Sequence, residues 1–129
     1  MAKIEKFQDL EAWKKAREIT RNIYEISKQD KFSRDFALCN QIRRAAISIL
    51  SNIAEGFERN GDKEFLQFLS IAKASCAEVY AQLYVALDQN YIDDKKFEDI
   101  SKDLEETGRI ISGLVKYLQQ SKMRGSKFK

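Results

Sequence analysis

The chain has 129 residues, 23 of them Lys or Arg and 20 Asp or Glu, and 43% are hydrophobic. That suits one domain with one core; it is too apolar for a disordered chain, and its net charge is too small to identify a nucleic-acid partner by itself. Histidine is absent, and the two cysteines, Cys39 and Cys76, lack CxxC spacing, which removes the commonest general base and the usual metal-ligand clusters.

There is no proline and there are only five glycines, so long helices run uninterrupted and glycine acts as punctuation. The first predicted helix starts near Asp9 as N-cap and ends near Lys28 to Asp30. Trp13, Ala16, Thr20, Ile23 and Ser27 share one face by three- and four-residue steps, while Lys14, Lys15, Arg17, Glu18, Arg21 and Glu25 fall on the remaining surface. Phe7 and Leu10 are expected to fold back onto the bundle. The second predicted helix starts near Ser33 as cap, with Asp35 in its first turn, and runs to about Glu58. Cys39, Ile42, Ala46, Ile49 and Ile53 make a heptad-like seam, with Leu38, Ala45 and Ala54 beside it.

Asn60-Gly61-Asp62 marks a turn, with Asp62 expected to cap a third helix that reaches about Gln89. Phe65, Leu69, Ala72, Cys76, Val79, Leu83 and Ala86 form its seam. Phe68, Ile71, Tyr80, Tyr84, Val85 and Leu87 add apolar surface around the rest of it, more than three neighbouring helices should cover. A fourth helix starts at Asp93 or Asp94 and runs to about Ser121 on a seam of Phe97, Ile100, Leu104, Thr107, Ile111, Leu114 and Leu118. Short links between long helices predict an all-α, antiparallel up-down-up-down four-helix bundle over residues 1–121.

Residues 122–129 are expected to form a flexible basic tail. They hold four basic residues and no acidic one, which leaves 19 basic against 20 acidic in the rest of the chain. The start of the chain has no apolar run of the signal-peptide kind, and no stretch approaches the roughly 18 apolar residues of a membrane span, so a cytoplasmic protein without membrane contact is expected. Two reduced, buried thiols follow from the apolar seams that carry Cys39 and Cys76.

No constellation of catalytic type is present: Glu-x-x-His pairs and glycine-rich phosphate loops are missing, and Glu105 and Glu106 are adjacent and diverge by about 100° on a helix. Enzymatic activity, cofactors and metals are therefore not expected. Gln41, Arg44, Ser48, Asn52 and Glu55 form a polar stripe on the second helix, either a solvated face or a hydrogen-bonded seam that fixes register against another helix or subunit. The candidate phosphate contacts are Arg43, Arg44 and Arg59 with Lys122, Arg124, Lys127 and Lys129 of the tail, where Phe128 could stack on a base. Structural ion pairs, for instance to Glu55 or Glu58, explain Arg43 and Arg44 equally well, and the tail could be only a solubilising terminus. The helical spacing of Trp13, Tyr24, Phe65, Phe68, Tyr80 and Tyr84 points to core or interface rather than to a base-stacking platform.

Three stretches together resemble one bacterial family, the 23S rRNA intervening-sequence proteins: Phe7-x-Asp9-Leu10-x-Ala12-Trp13-x-x-Ala16; Gln41-Ile42-Arg43-Arg44-Ala45-Ala46 followed by Asn52-Ile53-Ala54-Glu55-Gly56; and Phe65-Leu66-x-Phe68-Leu69-x-x-Ala72-x-x-Ser75-x-x-Glu78. The resemblance covers residues 7 to 120 and implies a four-helix bundle that assembles into homopentameric rings. The family is named for where its genes lie, within rRNA genes, and related proteins include accessory factors that bind a reverse transcriptase and nucleic acid. Two functions are implied: a homo-oligomeric, non-catalytic nucleic-acid-binding protein, with RNA as the partner, or a protein-interaction scaffold, such as an accessory subunit of a reverse transcriptase, with no RNA role of its own.

Overall fold

The computed structural model describes residues 4–125, with side chains described for residues 4–120. A single 3-10 turn, Phe7–Asp9, leads into α1 (Glu11–Ser27), a one-turn α2 (Asp30–Arg34), α3 (Phe36–Glu58), α4 (Asp62–Asp88) and α5 (Asp94–Gly125). No strand occurs among the described residues, and none of their helices is long and apolar enough to cross a membrane.

The four long helices are those the apolar seams require. Ala16, Ile23, Ile42, Ala46, Ile49, Ile53, Leu69, Ala72, Val79, Leu83 and Ile111 are fully buried along the common axis. Each sits where a heptad-like repeat keeps one stripe facing inward. Cross-helix bonds give the directions: Thr20 to the Ala46 carbonyl and Arg43 to Ser27 join α1 and α3, and Gln82 to Gln41 and Ser48 with Ser75 join α3 and α4. In both pairs the residue numbers rise on one helix as they fall on the other, so these neighbours are antiparallel. Phe7 packs edge-on against Trp13 with ring centroids 5.1 Å apart, and Leu10 is buried, as expected. Cys39 and Cys76 are free and buried.

The helix starts differ from three of the expectations. Asp9 lies in the 3-10 turn, and α1 is entered from Leu10, whose buried side chain holds it in an extended conformation, with no side-chain cap. Ser33 lies inside α2, where its hydroxyl donates to the Asp30 carbonyl. The cap of α3 is Asp35, whose Oδ1 accepts from the Leu38 amide at 3.1 Å. The reason is Phe32: its ring is 1% exposed and stacks on Tyr91 at 5.1 Å, and burying it winds residues 30–34 into their own turn. At the third start, Gly61 takes φ 112°, a backbone region that glycine alone enters easily, and Asp62 becomes the first residue of α4 without capping it. The fourth start holds: Asp93 Oδ1 accepts from the Lys96 amide at 2.8 Å ahead of α5. That helix extends to Gly125, beyond the expected end at Ser121.

Candidate nucleic-acid interface

The three candidate arginines of the bundle, Arg43, Arg44 and Arg59, stand in three different settings. Arg43, half-buried, faces α1: its Nε donates to Ser27 Oγ at 2.8 Å, and its guanidinium lies 4.7 Å from the centre of the Tyr24 ring. Ser27 Oγ in turn donates to the Ile23 carbonyl at 2.7 Å, so the arginine is anchored to the backbone of α1 through one hydroxyl. Arg44 is turned about 100° from it and is exposed. Arg59, just past the end of α3, lies 5.1 Å over Phe68 and is matched by carboxylates: Nη2 to Glu55 at 2.8 Å and Nη1 to Glu64 at 3.9 Å.

Among the described residues neither Arg43 nor Arg44 forms an ion pair; Glu55 is engaged by Arg59 instead, one helical turn away. Arg43 and Arg59 stand 16 positions apart on a rigid helix, about 24 Å, and do not converge. Lys122 and Arg124 fall on the last turn of α5, with their side chains outside the described part; Lys127, Phe128 and Lys129 lie outside the described residues altogether.

The polar stripe of α3 divides. Ser48 Oγ and Ser75 Oγ share a 2.8 Å hydrogen bond across the α3–α4 seam. Asn52 Nδ2 donates to the Ser48 carbonyl at 2.8 Å and to Ser48 Oγ at 2.9 Å, and Gln82 Nε2 donates to Gln41 Oε1 at 3.3 Å. Ser48, Asn52 and Gln41 therefore form a seam within the chain, while Arg44 and Glu55 are solvated. Small residues permit the close approach: at Gly56 a methyl group would lie 2.6 Å from Phe68 Cβ.

The apolar surplus of α4 divides in the same way. Tyr80 and Tyr84 stack on each other at 5.7 Å and meet Phe97 of α5 edge-on, so part of it is covered within the chain. Ile71 and Val85 stay 48% and 45% exposed, on a stripe with Ala74, Glu78 and Ala81; Ile47 of α3 is 39% exposed.

Charge on the α1 surface was not resolved by helical spacing alone. Toward α5, Lys15 Nζ lies 3.3 Å from Glu106, and this hydrogen bond and the Glu106 charge hold the ammonium above its ordinary pKa. Beside it burial pushes the Asp103 carboxyl up; Lys15 opposes this, and Glu18, Glu106 and Asp99 reinforce it. The α1–α5 side thus gathers carboxylates. Lys14, Arg17 and Arg21 lie on the side of α1 away from Asp103 and Glu106, with Glu18 between the two sides.

The concavities described on the surface are open depressions; one of about 530 Å³ lies at one end of the bundle between Gln29, Asp30, Lys31, Phe32, Asn90 and Tyr91. No group of three or more potential ligands among the described residues could hold a metal ion.

Comparison with known proteins gives a family and a fold. The family model described as 23S rRNA-intervening sequence protein matches residues 8–113. Among solved structures, the chain is similar to a Bacteroides thetaiotaomicron VPI-5482 protein described as of unknown function and from the S23 ribosomal protein family. The TM-score is 0.74 and the identity 24%, over 81% of this chain and 98% of that one, so the likeness is one of fold. No curated protein matches the chain.

Proposed function

The chain belongs to the family of 23S rRNA-intervening sequence proteins, and on that premise we propose that it is a non-catalytic, homo-oligomeric protein that binds nucleic acid, structured RNA above all, in the cytoplasm. The observation that carries this reading is the uneven placement of charge. The whole positive excess of the sequence lies in residues 122–129, and Arg44 stands exposed without a carboxylate partner among the described residues. Phosphates are the complementary partner, and contacts to phosphates position a nucleic acid without reading its sequence.

Oligomerisation would multiply the effect. The exposed stripe of Ile71 and Val85 on α4 supplies an apolar surface for a second copy. Each added copy brings another basic segment, and weak contacts then act at high effective concentration. The same stripe could receive a different protein, as an accessory subunit would require; lack of retention on heparin would favour that second reading.

The test is a salt-titrated binding assay on the full chain and on a chain truncated after Ser121, with 23S rRNA fragments and an unrelated RNA. The full chain is expected to bind both, with log affinity falling steeply against log salt. Truncation is expected to weaken binding and to flatten the slope by about 0.7 for each single-strand phosphate that the tail neutralises. A full chain that fails to bind RNA at low salt overturns the reading; a truncated chain with unchanged affinity and slope removes the tail from it.

A further inference from the structure

Among the described residues three arginines lie over aromatic rings, and what differs among them is what else they touch. Arg59 over Phe68 is neutralised by Glu55 and Glu64. Arg43 over Tyr24 spends one nitrogen on the neutral hydroxyl of Ser27, and Arg17 lies 5.8 Å from the centre of the Trp13 ring. Neither Arg17 nor Arg43 forms an ion pair among the described residues. An aromatic face holds a guanidinium plane in place, so less conformational freedom is lost when its N–H fork receives an anion. Phosphate, like carboxylate, is an anion that the fork fits in two-point geometry.

The two supported arginines belong to one surface. Lys14, Arg17 and Arg21 follow at three- and four-residue steps on the outer side of α1, and all three are exposed. Tyr24, one turn beyond Arg21, carries Arg43 from α3, and exposed Lys28 closes the row. From Lys14 to Lys28 the row spans 14 residues, about 21 Å. Trp13, Lys14, Arg17 and Arg21 line an open depression of about 350 Å³, together with Gln8 and Glu18. The carboxylates of α1, Glu11, Glu18 and Glu25, repeat every seven residues on the row alongside, where Glu18 neighbours Lys14 and Arg21, and Glu25 neighbours Arg21 and Lys28. Glu18 stands between the two sides: it lines that depression and also raises the Asp103 carboxyl of α5, and it forms no ion pair with Lys14, Arg17 or Arg21 among the described residues.

We propose that this row, Lys14, Arg17 and Arg21 of α1, Lys28 just past its end and Arg43 of α3, is a binding site for the phosphate backbone of a single-stranded nucleic acid or of an RNA loop. The proposal rests on the nucleic-acid reading above and gives it a location on the bundle. A linear row of cations matches a polymer with repeated phosphates better than a single phosphorylated side chain, which needs donors converging on one point. An anionic membrane fits less well, because Trp13 and Tyr24 are half-buried beneath guanidinium groups and cannot reach the acyl boundary. Arg43, assigned as a phosphate contact by its place in the sequence, keeps that role with its two terminal nitrogens while its Nε stays on Ser27.

The experiment is fluorescence anisotropy of a labelled single-stranded uridine oligomer and a labelled RNA hairpin across a salt series. The proteins are the full chain, a triple variant carrying Lys14→Gln, Arg17→Gln and Arg21→Gln, and Arg59→Gln as control. Glutamine keeps helix propensity at exposed positions, so unchanged circular dichroism is expected. The triple variant should bind about tenfold or more weakly near 0.1 M salt, with a slope shallower by up to about 2, at roughly 0.7 per phosphate. Arg59→Gln should change affinity less than about twofold, since its charge is already paired. If the full chain binds RNA and the triple variant binds it with the same affinity and slope, this site is wrong while the nucleic-acid reading stands. If the full chain binds neither RNA, both fail. Phosphatidylserine vesicles replace the RNA in a parallel arm, and binding to them through these residues without binding to RNA also overturns the proposal.

Discussion

At Gly56 α4 lies close against α3, and the missing side chain is a packing requirement. An added methyl group would stand 2.6 Å from Phe68 Cβ and 2.9 Å from Phe65 Cδ1, and the first of these is fixed to the α4 backbone. Gly56→Ala should therefore destabilise the protein by about 1–3 kcal/mol from overpacking, less the roughly 1 kcal/mol that alanine gains in helix propensity. Gly113→Ala, with nothing within 4 Å of the new carbon, should stabilise it instead; urea midpoints of the two variants should move in opposite directions. The thiol of Cys76 offers a pH test. Burial pushes its pKa from an ordinary 9.0 to about 11, so between these values the folded chain keeps a proton that the unfolded chain releases. Stability is then unaffected below pH 9 and falls as pH rises toward 11, by on the order of 2 kcal/mol for this group. Cys76→Ala should show a shallower fall over that window in denaturant titrations; parallel pH curves would refute this account of the thiol.

At the scale of the element, the caps show how far local chemistry reaches. Ser33, Asp35, Asp62 and Asp93 are all residues that favour helix starts, yet only Asp35 and Asp93 accept a hydrogen bond from the first turn of a helix. Asp35 also accepts the Tyr91 hydroxyl on Oδ2 at 3.0 Å, which ties the start of α3 to the turn between α4 and α5. That bond is the leading reason the Tyr91 hydroxyl holds its proton above the ordinary pKa. Asp35→Ala should cost about 1–2 kcal/mol, whereas Ser33→Ala should stay within about 0.5 kcal/mol. Equal losses in the two variants would show that α3 starts at Ser33 after all, and Tyr91→Phe separates the loss of the hydroxyl bond from the loss of the cap.

For the whole molecule, the exposed stripe on α4 leads to a prediction about mass. Ile71 and Val85 are four turns apart on one face, with Ala74 and Ala81 between them allowing another helix to approach. Light scattering should find the full chain at a multiple of 15.0 kDa, and the double variant Ile71→Glu with Val85→Glu near 15.0 kDa with its helicity kept. Neither substitution enters the bundle core, so loss of assembly without loss of folding is the diagnostic result. A full chain that is already monomeric at micromolar concentration contradicts the oligomer and, with it, the multiplied basic surface.

Much of this architecture was legible in the sequence, because an uninterrupted helix imposes its period on the residues that face the core. The repeats through Ile42, Ala46, Ile49 and Ile53 and through Leu69, Ala72, Cys76 and Val79 identified long helices and their buried thiols without any knowledge of neighbours. The turn at Gly61 and the start of α5 at Asp93 or Asp94 were visible for the same reason: each depends on residues only a few positions away. Contacts between distant parts of the chain were not visible. Phe32 makes its own helical turn because Tyr91, 59 positions later, covers its ring. The charges of α1 separate into two sides because Asp103 and Glu106 of α5 lie along one of them. Arg43 and Arg59, alike in sequence as cations on one helix, became different groups when folding set one over Tyr24 beside a neutral hydroxyl and the other between two carboxylates. Periodicity determines which face a side chain occupies, but the charge it presents depends on what folding brings against that face, and only the tertiary structure decides that.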